Sequence, residues 1–253
     1  MIMNPRHQRL FDEVRTRGTA SVESLARLLD VTSQTIRRDV NALSRAGLLS
    51  RFHGGVGLPG ATIENIAYNQ RQALNADGKR RIADAVAQRV PHGSSLILNI
   101  GTTTEAVARA LLQHRNLRVV TNNLNVAAIL ADNPSCDVIV CGGQVRARDR
   151  GIVGEAAVDF IRQFRVDIGL IGISSIEPDG TLRDFDYREV KVAQAIITQS
   201  RAVWLVADHS KFTRRAMVQL AHLSQVDVLF TDQPPSPALQ ACLDESGGRC
   251  VVA

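Results

Sequence analysis

No stretch of this sequence stays apolar long enough to cross a bilayer. The longest runs, such as Val203-Trp204-Leu205-Val206-Ala207, fall far short of the roughly 20 residues a membrane helix needs. The first residues carry Asn4, Arg6, Gln8 and Arg9 where a secretory leader needs an apolar core. A cytoplasmic chain with no membrane partner is expected. Cysteine is scarce. Cys136 and Cys141 bracket the strand-like CDVIVC, five positions apart and so on opposite faces, and Cys242 and Cys250 stand in no ligand pattern. The expectation is four buried, reduced thiols. The six histidines are scattered, none four residues from another, so metal chemistry lacks its ligand spacing. No Gly-Lys-Ser/Thr phosphate loop and no Gly-x-Gly-x-x-Gly is present, which leaves nucleotide cofactors without a motif. Gly172-Ile173-Ser174-Ser175-Ile176 lacks the second glycine of a nucleophile elbow. No metal, no cofactor and no catalytic residue is therefore expected.

What is there has the make-up of a globular protein: 253 residues, 45% hydrophobic and 22% charged, enough for a medium domain and a small one. The charge is unevenly divided. Residues 1 to 60 hold nine arginines against five acids, an excess of four, whereas the rest of the chain holds 21 bases against 20 acids. The excess in the first quarter suggests a polyanion partner for that part alone; a solvated basic face is the other reading of the charge.

That quarter reads as three short helices. Leu10, Phe11 and Val14 line one side of the first, over 6 to 17. Ser21 is placed to cap a second, with Val22, Leu25, Ala26, Leu28 and Leu29 inward. Thr32 caps a third, whose stripe Ile36, Val40 and Leu43 is ended by Gly47. This is a helix-turn-helix pattern. Its third helix turns Ser33, Gln34, Thr35, Arg37, Arg38 and Asn41 away from the core, side chains able to read base edges or hold phosphates. Residues 48 to 56 alternate and turn on two glycines, as a β-hairpin wing carrying Arg51 and His53 does. Gly54 to Thr62 has four glycines, a proline and no charge, and reads as a linker. The division expected is 1–57 for DNA binding, 58–75 for the linker and 76–253 for a second domain.

Beyond the linker a helix is expected over 79–89, then strands near 95–100, 117–121, 137–141, 167–173, 202–207 and 226–231. Helical patterns near 103–113, 124–131, 155–163, 186–199 and 236–245 interleave with them. Apolar strands alternating with helices predict an α/β domain, a mostly parallel sheet covered on both faces. Gly101-Thr102-Thr103-Thr104 falls at a strand-to-helix turn, where free N–H groups, the helix dipole and three hydroxyls make a seat for a phosphate. Asp184, Asp186 and Glu189 form the densest carboxylate cluster. An acid/base pair is one reading; Asp186 as N-cap with Glu189 three residues on, a capping box, is the stronger.

Eight segments in order, TSQTIRRDVNAL, RFHGGV, GTTTEAVA, VVTNNLNVA, GGQVRARDRGIVGEAAVDF, DIGLIGIS, RDFDYREVK and VADHSKF, together resemble the DeoR family of bacterial transcriptional repressors, from about Arg6 to Asp232. The resemblance implies a winged helix-turn-helix followed by a sensor domain like the ribose-5-phosphate isomerase fold. In those isomerases a loop similar to Gly101-Thr102-Thr103-Thr104 and a lysine placed like Lys211 hold the sugar phosphate. Their acidic catalytic loop is replaced here by Gly169-Leu170-Ile171-Gly172-Ile173-Ser174, which implies sensing without catalysis. An enzyme acting on a phosphosugar accounts for the loop and Lys211 but leaves the basic first quarter without a task. The implied partners are operator DNA and a small phosphorylated effector. Arg146 or Arg148 stand as further phosphate partners, and Asp186 and Glu189 as receivers of its hydroxyls. TNNLNVA and DRGIVGEA incline that effector toward glycerol 3-phosphate over hexose or tagatose phosphates, while Thr104 stands where the glycerol-3-phosphate branch is expected to carry proline. A homodimer or homotetramer on a palindromic operator is implied.

Overall fold

The computed structural model describes residues 4–17, 19–52, 55–57 and 68–253. By packing, the chain divides into two units, Met1–Leu74 and Asn75–Ala253.

The first unit contains α1 (Pro5–Arg17), β1 (Thr19–Ser21), α2 (Val22–Leu29), α3 (Ser33–Arg45), β2 (Ser50–Phe52), β3 (Gly55–Gly57) and α4 (Tyr68–Ala73). Both expected caps form: Ser21 Oγ accepts from the Ser24 N–H and Thr32 Oγ1 from the Thr35 N–H. Asp30, left-handed at φ 51°, makes the turn between α2 and α3. The core joins Leu10 and Val14 to Val22, Leu25, Ile36, Val40, Leu43, Leu49 and Val56. Leu28, read as inward, is exposed instead, because on an eight-residue helix the Val22–Leu25–Ala26 stripe already fills the face turned to α3. Strands β2 and β3 pair antiparallel as the wing, and β1 adds to β3 in the order β1-β3-β2. Gly55–Gly57, whose glycines fell in both the wing and the linker readings, is thus the central strand of this small sheet, paired through its backbone on both sides. Helix α4 lies within the span read as linker. His53 and residues 58–67 lie outside the described residues.

The second unit runs α5 (Ala76–Ala87), β4 (Ser95–Leu98), α6 (Thr102–Ala110), β5 (Leu117–Thr121), α7 (Leu124–Leu130), β6 (Cys136–Val140), β7 (Gln144–Arg146), β8 (Gly151–Val153), α8 (Glu155–Ile161), β9 (Val166–Gly172), β10 (Ser175–Ile176), β11 (Thr181–Asp184), α9 (Tyr187–Thr198), β12 (Ser200–Val206), β13 (Val218–His222), β14 (Val228–Thr231), α10 (Pro237–Glu245) and β15 (Arg249–Val252). A parallel sheet takes the order β15-β14-β12-β9-β4-β5-β6. Its two faces are read off by the period-2 alternation of strand side chains. Leu96, Leu98, Ile168, Leu170, Trp204, Val206 and Phe230 pack on one side with Ile82, Val86 and Val107. Ile97, Ile171, Val203, Leu205 and Leu229 pack on the other with Ile161, Val190 and Ile196. Both faces being covered is why these strands read as nearly continuous apolar runs. Two small antiparallel sheets, β7-β8 and β10-β11-β13, are appended. Among the helices of the described residues, none is long and apolar enough to cross a membrane. All four cysteines are free, but only Cys141 is buried; the other three are half-buried, because β6, β15 and α10 lie at the margins of the fold, where one side lacks cover.

Candidate DNA and effector sites

In the first unit, α3 presents Gln34, Arg37 and Arg38 exposed, with Ser33, Thr35 and Asn41 half-buried beside them. Thr35 is partly committed to the helix start, its Oγ1 3.0 Å from Thr32 Oγ1. Arg51 is exposed on the wing strand β2. Opposite the exposed face lies a residue the sequence reading passed over. Asp39 is buried on α3 and receives Arg6 Nε at 2.6 Å and Arg6 Nη2 at 3.0 Å, with His7 Nε2 3.0 Å away. Burial opposes its charge, but the Arg6 and His7 hydrogen bonds outweigh it and hold the carboxyl below its ordinary range. The start of α1 is thereby pinned to the back of the helix that carries the arginines.

In the second unit, the chain leaves β4 outward to β5 and β6 in one direction, and takes up β9, β12, β14 and β15 in the other. The carboxyl ends of β4 and β9 therefore flank a topological switch point, where open α/β sheets bind ligands. Gly101-Thr102-Thr103-Thr104 sits there. Gly101, at φ 152°, takes a conformation other residues rarely adopt, and a side chain on it would crowd Thr104 Oγ1 at 3.3 Å. The helical ladder of α6 begins with the Glu105 N–H donating to the Gly101 carbonyl at 3.0 Å, so the backbone of residues 102 to 104 forms the positive end of α6. Thr104 is fully buried and its hydroxyl donates to the Gly101 carbonyl at 2.7 Å. That hydroxyl shapes the loop. Thr103 is also buried, and Thr102 is half-buried.

Two strands along, β12 leads into a single turn, His209–Phe212, capped by Asp208, which accepts from the Ser210 N–H at 3.1 Å. Sheet spacing puts the ends of β4 and β12 roughly 10 Å apart. Lys211 is buried, with Nζ 3.8 Å from Asp208 Oδ2. Asp208 is sequestered from solvent; burial works against its charge, but Lys211, Ser210 and the buried Lys79 of α5 outweigh it and keep it ionised. Lys79 had no signal in the sequence beyond a polar helix start.

Arg146, Asp186 and Glu189 do come together, joined by a fourth residue that sequence reasoning missed, Asp149. Arg146 is buried and donates to both oxygens of Asp149 (2.9 and 2.7 Å), to Asp186 Oδ2 (2.9 Å) and to Glu189 Oε2 (2.7 Å). Burial alone works against the guanidinium charge, but Glu189 and Asp149 raise its pKa well above the ordinary arginine value. Asp186 is held below its usual range: burial opposes, Arg146 and the Arg188 N–H prevail. Asp186 caps α9 as expected, while Glu189 directs an oxygen to Arg146. Arg148 is exposed and stands 3.6 Å from Asp186. The segment bearing Arg146 is docked against the end of β5 by Ile152 N–H to the Asn122 carbonyl (2.7 Å) and Leu124 N–H to the Arg150 carbonyl (3.1 Å). Asn125 Nδ2 then bridges Glu105 Oε1 at 3.0 Å and the Asp149 carbonyl at 3.3 Å. The threonine loop and the arginine cluster share one wall.

A winged helix with an exposed arginine face, followed in the chain by a parallel α/β domain whose crevice favours anions, defines a DNA-binding regulator answering to a small molecule. Residues 6–62 match the DeoR-like helix-turn-helix domain and residues 74–233 the DeoR C terminal sensor domain. The chain is 48% identical to the glycerol-3-phosphate regulon repressor of Escherichia coli (strain K12), over 97% of each chain. It is 51% identical to the repressor of the same description from Haemophilus influenzae, over 91% of this chain and 89% of that one. Among solved structures it is similar to ribose 5-phosphate isomerase A from Methanocaldococcus jannaschii, with TM-score 0.41, 14% identity and 55% of each chain covered. The chain belongs to the DeoR family and is a DNA-binding transcriptional repressor rather than an enzyme.

Proposed function

We propose that the effector is glycerol 3-phosphate, and that its binding at the carboxyl ends of β4, β9 and β12 releases the repressor from operator DNA. The reading is supported chiefly by near full-length identity to two glycerol-3-phosphate regulon repressors, in a chain that also carries a threonine loop at the switch point and the buried Lys211. The dianionic phosphate settles on the backbone of residues 102 to 104 and on the Lys211 ammonium. Asp186 and Glu189, held in place by Arg146, receive the effector's hydroxyls. Arg146, read as a phosphate partner, serves through the carboxylates it orients, since its guanidinium already donates to three of them; Arg148 is the better-placed exposed cation.

On the DNA side, Gln34, Arg37 and Arg38 enter the major groove, Ser33, Thr35 and Asn41 border them, and Arg51 and His53 of the wing meet the backbone or the minor groove. The repressor acts in the cytoplasm as a homodimer or homotetramer, so its operator is a palindrome with half-sites about 34 Å apart or a multiple of that. Relief of repression about 100-fold requires roughly 2.7 kcal/mol of difference in effector affinity between the bound and released states.

The deciding experiment is a mobility shift on DNA upstream of the protein's own gene, titrated with glycerol 3-phosphate, ribose 5-phosphate and a hexose phosphate. Glycerol 3-phosphate should release the DNA at the lowest concentration, and Lys211→Ala should need about 10- to 100-fold more of it. Release by ribose 5-phosphate or the hexose phosphate alone would reassign the effector.

A further inference from the structure

Asp232, the residue after β14, has a side chain only 2% exposed. Nothing in the effector reading uses it. Its Oδ1 accepts the His209 N–H at 2.7 Å; its Oδ2 lies 2.8 Å from His209 Nδ1 and accepts from Asn75 Nδ2 at 2.7 Å. Arg81 of α5 is the further charge facing it, 4.0 Å away. The two anchored residues differ in what they belong to. His209 opens the turn that carries Lys211. Asn75 is the first residue of the second unit, where the chain arrives from the DNA-binding unit.

Asn75 also forgoes an ordinary task. It occupies the N-cap of α5 in a left-handed conformation, φ 50°, yet makes no side-chain capping bond to its own helix. Its amide crosses to Asp232, 157 positions along the chain. Asparagine at an N-cap ordinarily stabilises its own helix by accepting a backbone N–H, so local helix energetics do not account for this placement.

We infer that Asp232 is a positioning residue that fastens the Lys211 turn to the entry of the sensor domain, so that effector occupancy is transmitted to Asn75 and the segment before it. The inference rests on the proposed effector site for its trigger, but the fastening is testable without any effector. When Lys211 closes on a phosphate, the four-residue turn moves as a piece, because Asp208 caps it and the Lys211 N–H bonds the Asp208 carbonyl at 2.9 Å. His209 moves with it, and Asp232 and Asn75 follow. Coupling needs two arrangements that the ligand distinguishes; the set of three hydrogen bonds on one buried carboxylate is an element that can hold or break as a unit.

The test uses full-length protein and the variants Asp232→Asn and Asn75→Ala. Operator affinity is measured by fluorescence anisotropy with and without glycerol 3-phosphate, and effector affinity by calorimetry. Both variants should bind DNA and effector within about threefold of wild type, while the ratio of the two operator affinities falls about tenfold. An unchanged ratio, or loss of effector binding in step with loss of coupling, overturns the inference. Amide hydrogen exchange without effector provides the independent arm. In Asp232→Asn the protection of residues 75–79 and 208–212 should fall together; loosening of one segment alone overturns the fastening. A wild-type protein that ignores glycerol 3-phosphate would count against the proposed effector, and the exchange result would still decide the fastening.

Discussion

Arg146 and Asp149 meet through two parallel hydrogen bonds, Nε to Oδ1 at 2.9 Å and Nη2 to Oδ2 at 2.7 Å, both side chains nearly closed to solvent. The same guanidinium reaches Asp186 and Glu189 on the far side. One buried cation thus organises three carboxylates from two segments. Breaking such a cluster by removing the arginine costs more than the cluster itself is worth, since the acids are left without their counter-charge.

Arg146→Met should therefore destabilise the protein by about 3–5 kcal/mol at neutral pH. The pH dependence should change sign with it. In the wild type, Asp186 has a folded pKa depressed below its unfolded value, so its contribution is present above about pH 4 and is lost as pH falls through the depressed value. In the variant the carboxylates repel, their folded pKa values rise, and stability should increase as pH falls from 7 toward 5. Urea denaturation across that range reads the slope; a variant whose stability still falls on acidification would show that other groups govern the cluster.

Asp39→Asn should lower the melting temperature of the DNA-binding unit by several degrees and weaken operator binding, with effector affinity by calorimetry unchanged. Asparagine keeps the shape but gives Arg6 and His7 a neutral partner. A double-mutant cycle with Arg6→Ala separates the ion pair from packing. Strict additivity in that cycle would dismiss the pair as the link between α1 and α3.

The elements were legible because their signals are local. Thr32 and Ser21 cap the helices they precede, and the strand positions of Leu96, Ile97 and Leu98 alternate between two cores as their apolar run requires. The threonine loop was legible for the same reason, being a strand, a glycine and a helix start in sequence. What escaped is non-local. Asp39 reads as one acid on a basic helix until Arg6 arrives from 33 positions away. Arg146 reads as a spare cation for phosphate until Glu189 arrives from 43. Asn75 and Asp232 carry no pattern at all in one dimension. The β10-β11-β13 sheet escaped because strands of two to five residues hold too few alternations to show a period.

The exposed arginines of α3 make a prediction in salt. Arg38→Ala should reduce the slope of log affinity against log salt by about 1, the signature of one lost phosphate contact, and should do so on every operator sequence. Gln34→Ala should leave the slope alone and instead erase about 1–3 kcal/mol of discrimination at one base pair. Anisotropy titrations from 50 to about 200 mM salt separate the two. Identical salt slopes for wild type and Arg38→Ala would move the phosphate contact to another arginine.

Gly78→Ala sets two effects against each other. Alanine within a helix is favoured over glycine by up to about 1 kcal/mol, and Gly78 lies in the first turn of α5. Its added Cβ, however, would come 2.5 Å from Asn75 Nδ2 and 2.6 Å from Asp232 Oδ2. Both are ends of side chains, so they can yield, but only by parting from each other. The helix gain offsets only part of the lost hydrogen bond, which is itself worth about 1.5–3 kcal/mol when one partner is charged. The melting temperature should consequently shift by only a few degrees, while effector-driven release from the operator is blunted about as far as in Asn75→Ala. Thermal melts paired with anisotropy titrations check this. If Gly78→Ala released DNA as readily as wild type, the contact between Asn75 and Asp232 would have no part in carrying the signal.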